Sequence, residues 1–262
     1  LVNAEVGDAL VKLGIPVTYV ISSDRILSQI IDQEASAIVE KSLAGLDVEL
    51  LKGEDIVEIE EKGDALQVRL ASGKILSGCC VVIGKGVRPN IGFLKGTGVQ
   101  LNKGLVLDQF LETSVEGIYG AGDAVETDDV LLGHKALHAL WPVAIEQAKI
   151  AAANMLGMEM VYPGDVLRNI LTVFGQTIFT GGLSTHDEGD VYRYAGDGEY
   201  RKIAVKDGRL RGFVFVGEGA INPGVYLRMM REQTDISSMI EPVLHGTIAH
   251  ADLYPAVFKV AL

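Results

Sequence analysis

Apolar residues recur at helical spacing from Leu1 to Leu13, and Gly14 stands where a left-handed residue would end the helix. Pro16–Ile21 is rich in β-branched residues and reads as a short buried strand, and a second helix is predicted over Glu34–Ala44. Four extended runs follow, Asp47–Leu51, Ile56–Glu60, Leu66–Leu70 and Cys79–Ile83. The turn signals Lys62-Gly63-Asp64 and Ser72-Gly73-Lys74 separate three of them into a small meander. Residues 84–122 are punctuated by glycine, with short strands predicted at Leu105–Leu107 and Gly117–Gly120. A long amphipathic helix is expected over Pro142–Leu156, stopped by Gly157. Beyond Tyr162-Pro163-Gly164 the pattern turns antiparallel, with strands at Thr172–Gly181, Asp190–Tyr194, Tyr200–Val205 and Leu210–Val216. Asp197-Gly198 and Asp207-Gly208 are its hairpin turns. Helical spacing returns at Gly224–Glu232 and Ile236–Ile240.

This order implies an α/β fold in three parts: residues 1–83, 84–160 and an α+β module over 161–262. The first part reads as a nucleotide-binding domain that lacks its first strand. The chain opens on Leu1 and not on Met, which points to a fragment or a processed product.

Composition narrows the function. The chain has 262 residues, ample for a hydrophobic core without a disulfide or metal staple. Its longest apolar runs fall far short of the ~18 residues of a membrane span, so no membrane role is expected. The formal charge is −12, and acidic groups cluster at Asp47–Glu61 and Asp187–Asp190 without a basic stripe. Affinity for a phosphate backbone rests on Lys and Arg, so no nucleic-acid partner is expected. The two cysteines, Cys79 and Cys80, lack metal-ligand spacing. They read as buried thiols in a reducing, cytoplasmic setting.

The sharpest chemical signal is Thr113-Ser114-Val115-Glu116-Gly117-Ile118-Tyr119-Gly120-Ala121-Gly122-Asp123-Ala124. Glycine lets the backbone approach a ligand closely, and an Asp at a strand end can accept hydrogen bonds from sugar-like hydroxyls. Read alone, the same residues make a tight turn with a capping Asp. The extended run strongly resembles the second FAD-binding motif of the pyridine nucleotide–disulfide oxidoreductase family. The resemblance extends to Ile83-Gly84-Lys85-Gly86-Val87-Arg88-Pro89-Asn90, to Gly104-Leu105-Val106-Leu107-Asp108 and to Trp141-Pro142-Val143-Ala144-Ile145-Glu146-Gln147. It is nearest to the branch of NADH oxidases, rubredoxin reductases and nitrite reductase flavoproteins.

The resemblance implies the carboxy-terminal portion of an FAD-dependent enzyme that passes a hydride from NAD(P)H to flavin and on to an unidentified acceptor. The fold it implies is a truncated Rossmann-like nucleotide domain, the second FAD-domain segment, and an interface domain over 161–262 that builds a homodimer. Gly122 and Asp123 would hold the flavin's ribityl and pyrophosphate part. Trp141 and Val143 would open the helix facing its ring, and Glu5 and Gly86 would lie along the nicotinamide. Leu1-Val2-Asn3-Ala4-Glu5 matches the tail of the family's dinucleotide fingerprint, with Asn3 at the usual third glycine. The fingerprint's first two glycines would precede Leu1.

After the Val17–Val20 strand the family commonly carries an acid for the adenosine ribose, whereas this chain reads Ile21-Ser22-Ser23-Asp24-Arg25. Ser22 and Ser23 suit a ribose and Arg25 a phosphate, so NADH and NADPH both stay open. His250 loosely resembles the reductases' acid–base histidine, but Pro255 stands where the orienting Glu would be. The other four histidines, His134, His138, His186 and His245, read as structural. The alternative is a non-catalytic dimerisation body that binds neither cofactor in isolation.

Overall fold

In a computed structural model, residues 1–196, 198–217 and 222–254 are described. Helix α1 (Val2–Lys12) leads into strand β1 (Val17–Ile21), helix α2 (Gln33–Ser42) and strand β2 (Val48–Lys52). β1 and β2 pair in parallel, Val17 opposite Val48 through Ile21 opposite Lys52, as expected of strands joined by a helical crossover. α2 starts where Asp32 accepts a hydrogen bond from Ala35 N at 3.1 Å. α1 buries small residues, Ala4 and Gly7, because Tyr19 of β1 lies against them. A Cβ at Gly7 would overlap the Tyr19 hydroxyl. That hydroxyl donates to the carbonyls of Asn3 and Ala4, both at 3.2 Å. Burial, with Asp8 nearby, pushes its pKa up to about 12.

Strands β3 (Ile56–Lys62), β4 (Ala65–Leu70) and β5 (Ile75–Gly78) form the expected meander. The apolar run Cys79–Ile83 is not a strand: pairing with β4 ends at Gly78, and both Cys79 and Cys80 are exposed. The expectation of buried thiols is therefore corrected. An apolar run forms a buried strand only where a neighbouring strand offers it a ladder, and here none does.

β6 (Leu105–Val106) and β7 (Val125–Asp128) pair in parallel, and β8 (Lys135–Leu137) adds antiparallel to β7. The strand expected at Gly117–Gly120 is a single bridge between Glu112 and Tyr119. Helix α3 (Trp141–Met155) follows.

Strands β9 (Arg168–Val173), β10 (Gln176–Gly182), β11 (Asp190–Gly196), β12 (Glu199–Lys206) and β13 (Arg209–Val216) build a five-stranded sheet in the order β11-β12-β13-β10-β9. The single strand expected over Thr172–Gly181 is thus two, folded back at Phe174 and Gly175. Both turn residues have positive φ, 53° and 75°. Asp207 and Gly208 turn between β12 and β13 with φ of 52° and 70°, the conformation that favours Asp-Gly in two-residue hairpins. Asp197 lies outside the described residues. Helix α4 (Pro223–Arg231) is as expected, whereas α5 (Ile240–His245) begins where Ile236–Ile240 was expected to end.

The central strands of the five-stranded sheet, β12, β13 and β10, are covered on both faces. One face packs Phe179, Phe213 and Phe215 against Tyr226, Met229 and Met230 of α4 and Val243 of α5. The other packs Leu171, Val173, Ile178, Tyr200 and Val214 against Ile26, Ile31, Ala35 and Val39 from the first fifty residues. Polar contacts also fasten the first fifty residues to this module: Asp8 accepts from Phe174 N at 2.8 Å, Ser184 donates to Ile30 O at 2.9 Å, and Asp32 accepts from the Tyr200 hydroxyl at 2.8 Å. A separate cluster of Leu105, Leu107, Leu111, Val125, Ile150 and Tyr162 lies beneath α3.

Candidate flavin-binding site

The Gly-Ala-Gly-Asp run lies between β6 and β7, at the start of β7. Leu107 N donates to Glu126 O, and Gly120 N donates to Leu111 O at 3.1 Å, which draws the run against the sheet. The approach is close: a Cβ at Gly120 would sit 3.0 Å from Val125 and 3.1 Å from Leu105. Gly122 has φ +85°, where side chains are disfavoured, and its carbonyl accepts from Val125 N at 3.1 Å. Asp123 follows with its carboxylate in solvent. Beneath the turn, buried Glu126 accepts from Gly104 N at 2.5 Å and from Asn102 Nδ2 at 3.0 Å.

α3 faces this turn. Its cap residue, Leu140, is extended and offers no side-chain acceptor, so the first-turn N–H groups are free for a ligand. Pro142 in the first turn has no N–H to lose there. Trp141 is 81% exposed, while Val143 is fully buried and anchors the first turn. Gln147, one turn further on, is buried at 1% exposure. Its Oε1 accepts from Gly122 N at 2.8 Å, and its Nε2 donates to Thr127 Oγ1 at 3.3 Å. A Cβ at Gly122 would lie 3.5 Å from the Ala144 Cβ. Gly122, Asp123 and the start of α3 are therefore one local assembly.

Just before α3, His138 Nε2 donates to Asp129 Oδ2 at 3.0 Å, and both side chains are buried. Asp129 also accepts from Leu131 N and Leu132 N, both at 2.8 Å. Burial by itself raises the Asp129 pKa. The His138 ring and the two amides outweigh it and hold the group below the usual carboxylate range.

Glu5 is exposed in the first turn of α1. Gly84 packs so closely on Asn3 that a Cβ there would overlap the Asn3 amide, so the loop carrying Gly86 (φ +84°) leaves from the same end of α1. Ser22 is exposed just past the end of β1. Its neighbours are engaged: Ser23 Oγ donates to Arg25 O at 2.8 Å, and Arg25 pairs with Asp24 at 2.9 Å. His250 is exposed in a 3-10 turn, and Pro255 lies outside the described residues. Among the described residues no cluster of His, Cys, Asp or Glu could hold a metal ion. Nor is any helix there long and apolar enough to cross a membrane.

Sequence reasoning did not single out Gln147 or Glu126. Gln147 carried a readable signal. It falls on the stripe of α3 that also buries Val143, Ile150 and Ala151, where a polar side chain needs a partner.

Comparison with known proteins identifies the family and the fold. The family model described as pyridine nucleotide-disulphide oxidoreductase matches residues 1–148. The chain is 29% identical over 245 residues to the NADH-dependent phenylglyoxylate dehydrogenase subunit epsilon of Aromatoleum evansii, covering 91% of this chain and 58% of that protein. It is 31% identical to an NADH oxidase of Methanocaldococcus jannaschii, over 66% of this chain and 39% of that one. Among solved structures, an NAD-dependent persulfide reductase from A. fulgidus superposes with a TM-score of 0.78 at 24% identity, covering 88% of this chain and 47% of that one. The water-forming NADH oxidase from Lactobacillus brevis, bound to NADH, gives 0.80 at 17% identity, covering 92% and 58%. These structural likenesses concern the fold. The chain thus spans 58% and 39% of the lengths of these two curated relatives.

Proposed function

The chain belongs to the pyridine nucleotide-disulphide oxidoreductase family, and on that premise we propose that it forms part of a flavoprotein passing a hydride from NADH to FAD and on to an acceptor. The observation that carries this reading is the meeting of the Gly122–Asp123 turn with the uncapped start of α3, joined through Gln147.

The residues present fit the ribityl and pyrophosphate half of FAD. The glycines at 120 and 122 leave backbone accessible where a Cβ would press on the sheet or strain the turn. The Asp123 carboxylate is free to accept hydrogen bonds from ribityl hydroxyls. The first-turn N–H groups of α3, at the positive end of its dipole, would stabilise negative charge on the flavin pyrimidine. Trp141 would shield the ring from water, and Val143 keeps the helix start seated. Bound FAD supplies the atom that accepts the hydride; the protein supplies position and electrostatics.

Glu5 and Gly86 are assigned to the nicotinamide side and Ser22 to the adenosine ribose. NADH is favoured over NADPH because Arg25, the cation nearest that position in sequence, is already neutralised by Asp24. Residues 161–262 are assigned a homodimer interface, supported by Leu167 and Ile170, exposed at and beside the edge strand β9. The cytoplasmic assignment rests on Cys79 and Cys80 as exposed free thiols.

The test is a visible absorbance spectrum of the purified chain with added FAD, followed by anaerobic NADH and, separately, NADPH. Flavin bands that remain with the protein through gel filtration and bleach faster with NADH support the reading. A colourless chain that ignores FAD overturns it for this chain and favours the dimerisation body.

A further inference from the structure

We propose that Gln147 is a positioning residue: without touching a ligand, it fixes the direction in which Asp123 presents its carboxylate. The proposal rests on the flavin reading above, which it deepens.

Both sides of Gly122 are tied. Its carbonyl accepts from Val125 N at 3.1 Å, inside the turn, and its N–H donates to Gln147 Oε1 at 2.8 Å, outside it. The first bond is local to any tight turn. The second crosses 25 residues of sequence and is made by a side chain with 1% exposure. Gln147 is held in turn by its Nε2–H bond to Thr127 Oγ1 on β7, and its amide cannot flip without setting its own N–H against the Gly122 N–H and losing that bond. Glycine at φ +85° has the widest conformational freedom of any residue, and an untied Gly122 would let Asp123 sweep a range of directions. One side chain therefore sets the turn relative to β7 and to α3 together, and these two elements would hold opposite ends of the same cofactor half.

The experiment compares wild type with Gln147→Met, Gln147→Glu and Asn154→Leu. Met keeps length and loses both hydrogen bonds, and Glu keeps an acceptor for Gly122 N. Asn154 is a second buried polar residue of α3, bonded to Phe110 O and Met160 O, and serves as a control for general loosening. Amide exchange at Gly122, read by NMR without flavin, is expected to accelerate about ten-fold or more in Gln147→Met. It should stay near wild type in Gln147→Glu and Asn154→Leu. FAD dissociation constants should follow the same order, weaker by about ten-fold in Gln147→Met only.

Unchanged exchange in Gln147→Met overturns the proposal, as does equal acceleration in Asn154→Leu. Faster exchange with unaltered FAD affinity also overturns it, because the bond would then exist without aiming Asp123. If wild type binds no FAD, the flavin reading falls, while the exchange comparison still decides whether Gln147 sets the turn.

Discussion

Lys202 lies on β12 with 1% of its side chain exposed, and its ammonium touches Asp32 at 3.0 Å and Asp187 at 3.1 Å. Asp32 caps α2 and also accepts from the Tyr200 hydroxyl at 2.8 Å; Asp187 is also paired with Arg193 at 2.6 Å. Burial presses the Asp187 pKa upward, but the Lys202 and Arg193 cations outweigh it and the group titrates below the usual range. Replacing one partner of a fully buried pair costs about 3–5 kcal/mol. Here Lys202→Met leaves both carboxylates with another donor, and they are 21% and 51% exposed, so water screens much of the loss.

The expected destabilisation is accordingly about 2 kcal/mol, or roughly 4–8 °C in Tm for a chain of this size. Asp32→Asn retains the cap but not the charge, and a double-mutant cycle with Lys202→Met should show coupling of about 1 kcal/mol. Urea denaturation followed by circular dichroism reads both quantities. Because the network ties the α2 cap to the five-stranded sheet, unfolding should remain one transition. A change below about 0.5 kcal/mol, or two resolved transitions, would refute the reasoning.

Asp129→Ala should cost about 2–3 kcal/mol, since it leaves two amides and the His138 ring without their acceptor in a buried site. Asp129 titrates lower folded than unfolded, so its contribution is complete above the unfolded pKa of about 3.9 and disappears as pH falls through the folded value. Acid unfolding monitored by circular dichroism should therefore depend less steeply on pH in Asp129→Ala; an identical slope contradicts this. Cys79 and Cys80 should both react with a thiol reagent in the folded chain at the rate of a small free thiol. Reaction only after denaturation would restore the buried strand that the apolar run suggests.

Helices α1 to α4 and the Asp207-Gly208 hairpin were legible because their signals are local: apolar spacing, Pro142 at the start of α3, Gly157 after its end, and a dipeptide that accepts positive φ. Cys79–Ile83 misled because an apolar run does not say which strand is beside it. The fold-back at Phe174 was hidden for a related reason. A non-glycine at φ 53° interrupts an otherwise continuous β pattern, and its amide is satisfied by Asp8, 166 residues away. No local pattern displays such a contact. At the candidate site, the glycines and Asp123 stood out by type, whereas Gln147 was visible only as a polar residue on a buried stripe. Its partner, a backbone N–H, leaves no trace in composition.

Trp141 is the sole tryptophan of the chain and stands exposed at the start of α3, so its fluorescence reports on the proposed site alone. The most direct test of the flavin cradle is a titration of that fluorescence with FAD, for wild type and Asp123→Ala, with free tryptophan amide correcting for absorption. The account predicts saturable quenching in wild type and a curve shifted to about ten-fold higher FAD in Asp123→Ala, as loss of a charged hydrogen-bond acceptor implies. Quenching no greater than that of the free amide, or identical curves for the two proteins, would contradict it.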